Sequence, residues 1–290
     1  MKLYSPATIK DIRERYGFRL TKSLGQNFLT DKNIIDNIIE ASNIGENDLV
    51  IEIGPGIGVI TKEAAAKAGS VIAVEIDKNL IPILQETLAD ETNVKIINRD
   101  ILKTDLTAVI EEEKKNFPQM ESVRIIGNLP YYITTPIIMK LLEDGVPADS
   151  ITVMMQKEVA DRIKAAPGNK ERGALSVAVQ YYCQVVKVTD VPKEVFVPAP
   201  KVDSTVLRLD IRKEKPVELK DDKLFFKAVK SGFAQRRKTL LNSLASGTGL
   251  GKDKIGQILE EAGIDPGRRA ETLDIDEFAK IANGMFEMNL

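Results

Sequence analysis

The stretch VIEIGPGIG, residues 50–58, decides the fold. With Leu49, its first half is a short, continuous apolar run rich in β-branched residues, the pattern of a strand buried on both faces of a parallel sheet. Its second half places Gly54, Gly56 and Gly58 in a turn directly after that strand. Such a turn has no Cβ to keep a ligand away from the backbone, which makes Gly54 and Gly56 candidate cofactor contacts. The dinucleotide fingerprint is not completed, because Val59 follows Gly58 and the third glycine is missing. Glu52 also puts a negative charge where a pyrophosphate would be repelled and a cationic sulfonium or ammonium attracted.

Strand-like and helix-like segments alternate on both sides of this turn. A helix is expected from Asp31, an N-cap residue, with Ile34, Ile35, Ile38 and Ile39 on one face. SVIAVEI (70–76), VKIIN (94–98), SVRIIGN (122–128) and SITVMMQ (150–156) read as further strands. Helical segments separate them at 78–89, 104–116 and 133–143, and another follows at 157–166. The alternation predicts an α/β fold, a doubly wound, Rossmann-like parallel sheet with helices on both faces. ALSVAVQYYCQVVKV (174–188) reads as a long strand or as a helix running into a strand, and STVLRLDI (204–211) as a late, antiparallel strand. From 221 onward apolar residues recur at helical spacing, so a boundary is placed near 211: a sheet domain over 1–211 and a small all-helical domain over 212–290.

Composition narrows the chemistry. The 290 residues contain no histidine and one cysteine, Cys183. Histidine-based triads, cysteine-clustered zinc and intrachain disulfides are excluded, and no metal site is expected. Catalysis must use carboxylates, amides, aromatics, backbone groups or a reactive cofactor. No apolar run reaches the roughly 18–20 residues that cross a bilayer, and MKLYSPATIKDIRERYGF has no signal-peptide core. A cytoplasmic protein with no membrane partner is expected. Charge is unevenly spread: residues 1–24 carry six Lys/Arg against two Asp/Glu, residues 25–128 ten against eighteen, and residues 201–238 twelve against six. An acidic core between basic flanks suits a cationic cofactor at the centre and RNA at the rim. FAQRRKTLLNSL (233–244) reads as a helix carrying Arg236, Arg237 and Lys238 toward phosphates.

In a doubly wound sheet, ligands bind at the C-terminal strand ends. Gly54, Glu75, Asp100 and Asn128 all fall there. Glu75 stands 21 residues after Gly54, close to the roughly 20 at which a carboxylate accepts ribose hydroxyls. Together they read as an adenosine site.

The fourth strand runs into GNLPYY, residues 127–132. This resembles the Asn-x-Pro-Tyr motif of methyltransferases that modify the exocyclic amine of adenine. That amine is a poor nucleophile because its lone pair is delocalised into the ring. Two acceptors on its hydrogens draw it toward a tetrahedral geometry and return the pair to nitrogen. The Asn128 amide oxygen reads as one acceptor and the Pro130 carbonyl as the other, aimed through the Leu129–Pro130 backbone by proline's fixed φ. Tyr131 can stack on an extruded base. No strong base is needed, in keeping with a chain that lacks histidine.

KSLGQNFL (22–29), NRDIL (98–102), QKEVADRI (156–163), VFVPAPKVDS (195–204) and RRAETL (268–273) extend the likeness over about residues 8–285. In their joint order and spacing the chain resembles the bacterial small-subunit (16S) ribosomal RNA adenine dimethyltransferases, of the rRNA adenine N6-methyltransferase family. The resemblance implies an S-adenosylmethionine-dependent methyltransferase domain over 1–211 and an RNA- and ribosome-docking domain over 212–290. It implies dimethylation of two adjacent adenosines in a hairpin near the 3′ end of 16S rRNA, during small-subunit biogenesis, by a monomer. It also implies cofactor contacts at Asn27 and Leu29, and at Gly54, Glu75, Asp100 and Asn128, with Phe196 stacking on the target base opposite Tyr131. The large-subunit methyltransferases that confer macrolide resistance share the catalytic motifs, and Leu129, FVPAPKVDS and RRAETL favour the small-subunit group. A mitochondrial transcription-factor branch and a nicotinamide-dependent oxidoreductase are the other readings, the latter disfavoured by Glu52 and the missing glycine.

Overall fold

The computed structural model describes residues 2–17 and 25–288. The chain divides into two compact units, residues 1–160 with 186–211, and residues 161–185 with 212–290.

The first unit opens with α1 (Pro6–Arg15), the short β1 (Phe28–Leu29) and α2 (Lys32–Ala41). Asp31 caps α2 by accepting the backbone N–H groups of Asn33 and Ile34. The expected alternation follows: β2 (Asp48–Ile53), α3 (Val59–Ala65), β3 (Ser70–Glu75), α4 (Ile81–Thr87), β4 (Val94–Asn98), α5 (Leu106–Asn116), β5 (Ser122–Asn128), α6 (Thr134–Glu143), β6 (Ser150–Gln156) and α7 (Lys157–Lys164). Residues 174–188 resolve into a helix and then a strand, α8 (Ala174–Tyr182) and β7 (Cys183–Val191). The two-residue β8 (Phe196–Val197) and β9 (Ser204–Ile211) complete the strands.

Among the described residues seven strands form one sheet in the order β4-β3-β2-β5-β6-β9-β7. β2 through β6 pair in parallel, and β9 runs antiparallel to β6. The fold is therefore Rossmann-like with an antiparallel flank. β2 and β3 are buried along their whole length, which explains their unbroken apolar runs. The chain builds outward from β2 to β4, then returns to build outward from β5. The parallel neighbours β2 and β5 thus mark a topological switch point, where a crevice opens at the strand ends. A separate two-stranded ladder joins β1 to β8, with Phe28 opposite Val197 and Leu29 opposite Phe196.

The second unit is built on α9 (Asp222–Phe233), α10 (Leu240–Thr248), α11 (Lys252–Glu261) and α12 (Ile275–Glu287). The sequence places a single boundary near 211, whereas residues 161–185 also fall in the helical unit. The reason is packing: Val177 and Tyr181 of α8 lie in its core with Phe225, Leu240 and Phe278. Arg172, 1% exposed, ties the same segment in by donating to the carbonyls of Ala165 and Leu273 and to the Gln180 side chain. Arg236, Arg237 and Lys238 do not extend a helix. They lie exposed on the turn between α9 and α10, because the Leu240 N–H goes to the Arg268 carbonyl and the Lys238 N–H to Gln235. Among the described residues no helix is long and apolar enough to cross a membrane.

Gly127, one residue before the end of β5, sets how closely β5 approaches β2. A Cβ there would lie 2.7 Å from the Ile53 carbonyl oxygen. Gly127→Ala is expected to destabilise the chain by about 1–3 kcal/mol through overpacking, read as a lower urea midpoint with an unchanged slope.

Candidate active site

The parallel register carries the ends of β2, β3, β4 and β5 to one edge of the sheet, and a cleft opens there. Its wall includes Gly54 and Gly56 after β2, Glu75 at the end of β3, Asp100 after β4, and Asn128 through Tyr131 after β5. Asn27 and Leu29 line it from the N-terminal segment. Of the candidate cofactor and catalytic residues named from the sequence, Phe196 alone does not line this cavity. Its ring is 3% exposed and packs in the core with Leu29 and Phe28. Residues 22–24 of the KSLGQNFL segment lie outside the described residues.

The glycine turn has the backbone that such a wall requires. Gly54 and Gly56 have φ of +71° and +62°, a region that costs other residues strain. A Cβ on Gly56 would also meet the Phe28 ring at 3.1 Å. The backbone is thus bare where the cavity begins.

Two buried carboxyls dominate the electrostatics. Glu75 is 5% exposed and accepts the backbone N–H groups of Asp77 at 2.8 Å and Gly56 at 3.4 Å. Burial outweighs those donors and pushes its carboxyl up to about 7. Glu52, buried beneath the turn, accepts the Thr61 hydroxyl and is pushed up to about 8, chiefly by burial. Burial therefore favours the protonated form of Glu52, against the standing negative charge expected from the sequence. Asp100 spends one oxygen capping the turn at Ile101–Lys103, where it accepts the Leu102 N–H at 3.0 Å.

The Asn-Leu-Pro-Tyr segment shows which of its acceptors are available. The Asn128 side-chain NH2 donates to the Asn27 carbonyl at 3.0 Å. That bond fixes the amide's orientation and leaves Oδ1 as an acceptor with no donor among the described residues. The Pro130 carbonyl, expected as the second acceptor, is already engaged. It takes the Ile133 N–H at 3.1 Å and the Thr134 hydroxyl at 3.0 Å, as the chain turns into α6. Both lone pairs are occupied within the chain, and Pro130 shapes the turn. The preceding Leu129 carbonyl has no donor among the described residues. Tyr131 is half-buried, and its hydroxyl pairs with Ser204 at 2.6 Å. Burial raises its pKa, so it remains a phenol and not a base.

Sequence reasoning did not single out Ile76 and Tyr132, which also line the cavity and are 51% and 60% exposed. Each directly follows a residue that it did single out, and exposed apolar side chains beside a polar motif are the available signal.

The fold and this edge of the sheet define a Rossmann-like methyltransferase. The family described as ribosomal RNA adenine dimethylase matches residues 17–286. The chain belongs to that family of adenine-methylating enzymes. It is 52% identical over 285 residues to the ribosomal RNA small subunit methyltransferase A of Alkaliphilus oremlandii, covering 98% of each chain. It is 50% identical over 282 residues to the protein of the same name from Clostridioides difficile, covering 97% of this chain and 96% of that one. Among solved structures, a dimethyladenosine transferase from Plasmodium falciparum superposes with a TM-score of 0.74 at 26% identity, over 90% of this chain and 97% of that one. The 23S rRNA methyltransferase ErmE superposes with a TM-score of 0.68, also at 26% identity, over 90% of this chain and all of the other.

Glu52 makes a testable contribution to stability. Its folded-state pKa lies above its unfolded one, so it adds stability at low pH and loses it as pH rises through about 8. The melting temperature of the ligand-free chain should fall as pH rises from about 5 to about 8 and level off above that, and Glu52→Gln should flatten that fall. Parallel curves for the two proteins would mean that Glu52 is already ionised in the fold.

Proposed function

We propose that this chain transfers methyl groups from S-adenosylmethionine to the exocyclic amines of two adjacent adenosines in a hairpin near the 3′ end of 16S rRNA, acting as a cytoplasmic monomer during small-subunit assembly. One observation carries the chemistry. At the wall of a cleft suited to adenosine, Asn128 Oδ1 and the Leu129 carbonyl stand one residue apart with no donor among the described residues. An amine bearing two hydrogens is what such a pair would accept. The choice of the small subunit rests on the curated relatives, since of the two superposed structures one is a 23S rRNA enzyme and the other is described only as a dimethyladenosine transferase.

The residues present fit the cofactor. Gly54 and Gly56 bare the backbone, and Glu75 offers a buried carboxylate to a pair of ribose hydroxyls. Asp100 keeps an oxygen for the adenosine portion, and Asn27 and Leu29 close the N-terminal side. When bound, S-adenosylmethionine supplies an electrophilic methyl group on a sulfonium. Asn128 and Leu129 hold the target amine and return its lone pair to nitrogen. Tyr131, anchored by Ser204, presents a ring for the extruded base. The proton leaves the alkylated ammonium for water, because nothing basic enough to keep it is needed. Phe196 serves this site from the core, where its β8 pairing with β1 fixes the segment that carries Asn27. Exposed cations on the helical unit, Arg237 and Lys238, without a partner among the described residues, suit phosphate contacts and give that unit its docking role.

Two measurements follow. Cofactor affinity requires ionised Glu75, so binding of S-adenosylhomocysteine should level off above about pH 8 and weaken as pH falls through about 7. Glu75→Ala should weaken it at least about tenfold, given about 1.5–3 kcal/mol for each charge-assisted hydrogen bond. Calorimetry showing unchanged affinity removes Glu75 from the site. In single-turnover transfer of tritiated methyl to unmodified small subunits, Asn128→Ala should lower the rate about 100-fold or more, in line with loss of one preorganised polar contact. A wild-type rate in that variant, or a preference for large subunits by the parent chain, rejects the reading.

A further inference from the structure

Pro130, Tyr131, Tyr132 and Ile133 make a tight turn, closed by the Ile133 N–H donating to the Pro130 carbonyl at 3.1 Å. Tyr131 and Tyr132 occupy its two central positions and meet different surroundings. Tyr131 is half-buried and held by Ser204. Tyr132 is 60% exposed, the most exposed of the large apolar side chains among the described residues, and its hydroxyl has no partner among them.

The Tyr132 ring is nonetheless placed. It lines the rim of the cleft, and a Cβ built on Gly25 would lie 3.7 Å from its Cδ1 and 3.5 Å from Pro130 Cβ. The backbone at Gly25 therefore supports one edge of the ring, and the rest is open to solvent. A large apolar ring held in a hydrogen-bonded turn at the mouth of a cleft, without apolar cover, is built to receive a flat ligand.

The chemistry of the cleft indicates which one. An adenine whose amine reaches Asn128 and Leu129 must leave its base stack, and its departure uncovers a face of the neighbouring base. Every base has a π-face, so an exposed aromatic ring one residue beyond Tyr131 can cover it whatever its identity. We propose that Tyr132 stacks on the nucleotide next to the adenosine held at Tyr131, an inference that rests on reading the cleft as a site for adenine in RNA. Where the substrate offers two adjacent adenosines, the neighbour is itself a target. Tyr132 then holds one while the other is methylated, and the two exchange places between rounds.

The test uses the full chain with two readouts. In steady-state methylation of unmodified small subunits, Tyr132→Ala should raise KM about tenfold, equivalent to about 1.4 kcal/mol, with a much smaller effect on kcat. Tyr132→Phe and Tyr132→Trp should restore KM. With an RNA hairpin in which one of the two adjacent adenosines is replaced by 2-aminopurine, the parent chain and Tyr132→Phe should quench its fluorescence and Tyr132→Ala should not. Wild-type chain that leaves small subunits unmethylated overturns the functional reading itself. Methylation by wild type together with unchanged KM and unchanged quenching in Tyr132→Ala overturns the stacking role alone. So does an equal loss of S-adenosylhomocysteine affinity by calorimetry, which would place Tyr132 with the cofactor.

Discussion

The parallel pairing of β2 with β5 is the constraint on which the rest of the site depends. Ile51 opposite Ile125 and Glu52 opposite Ile126 bring two strands that are distant in sequence to a common end. One strand leaves that end through the glycine turn and the other through Asn-Leu-Pro-Tyr. The position of a Gly54 Cβ lies 4.0 Å from the Asn128 carbonyl oxygen, so the cofactor-side and substrate-side loops meet with almost nothing between them. Gly127 permits this approach, and the outward order of the remaining strands adds Glu75 and Asp100 to the same edge. A shift of one residue in this register would turn the buried faces of β2 and β5 over and scatter the site.

A second layer of organisation comes from the N-terminal segment. Asn27 holds the Asn128 amide through its carbonyl, while β1 pairs Phe28 and Leu29 with β8. Thr30 adds its N–H and its hydroxyl to the Val195 carbonyl. The segment that orients the acceptor is therefore anchored to the loop that carries Phe196. Preorganisation of this kind matters because an acceptor gains most when it is aimed before the amine arrives.

Much of this was legible in the sequence because it depends on short-range pattern. The apolar runs gave the strands, and their ends gave Gly54, Glu75, Asp100 and Asn128 without any knowledge of strand order. What was not legible depends on where individual backbone groups find partners. The choice between Pro130 and Leu129 turns on the Ile133 N–H and the Thr134 hydroxyl, which only the geometry of the turn into α6 reveals. The burial of Phe196 follows from pairing with a strand that lies far away in sequence. Arg236, Arg237 and Lys238 carry a helical pattern, but the Arg268 carbonyl captures the Leu240 N–H and ends the continuity. The ionisation of Glu52 depends on complete burial, which composition does not report.

The central claim is that Asn128 and Leu129 together activate an adenine amine at the end of β5. It is tested most directly by a structure of the chain bound to S-adenosylhomocysteine and an RNA carrying the two adjacent adenosines. The account predicts an extruded adenine whose exocyclic nitrogen lies about 3 Å from both Asn128 Oδ1 and the Leu129 carbonyl oxygen, with the Pro130 carbonyl still bonded to Ile133 and Thr134. An amine held by the Pro130 carbonyl, or an adenine lodged away from Asn128, would contradict it.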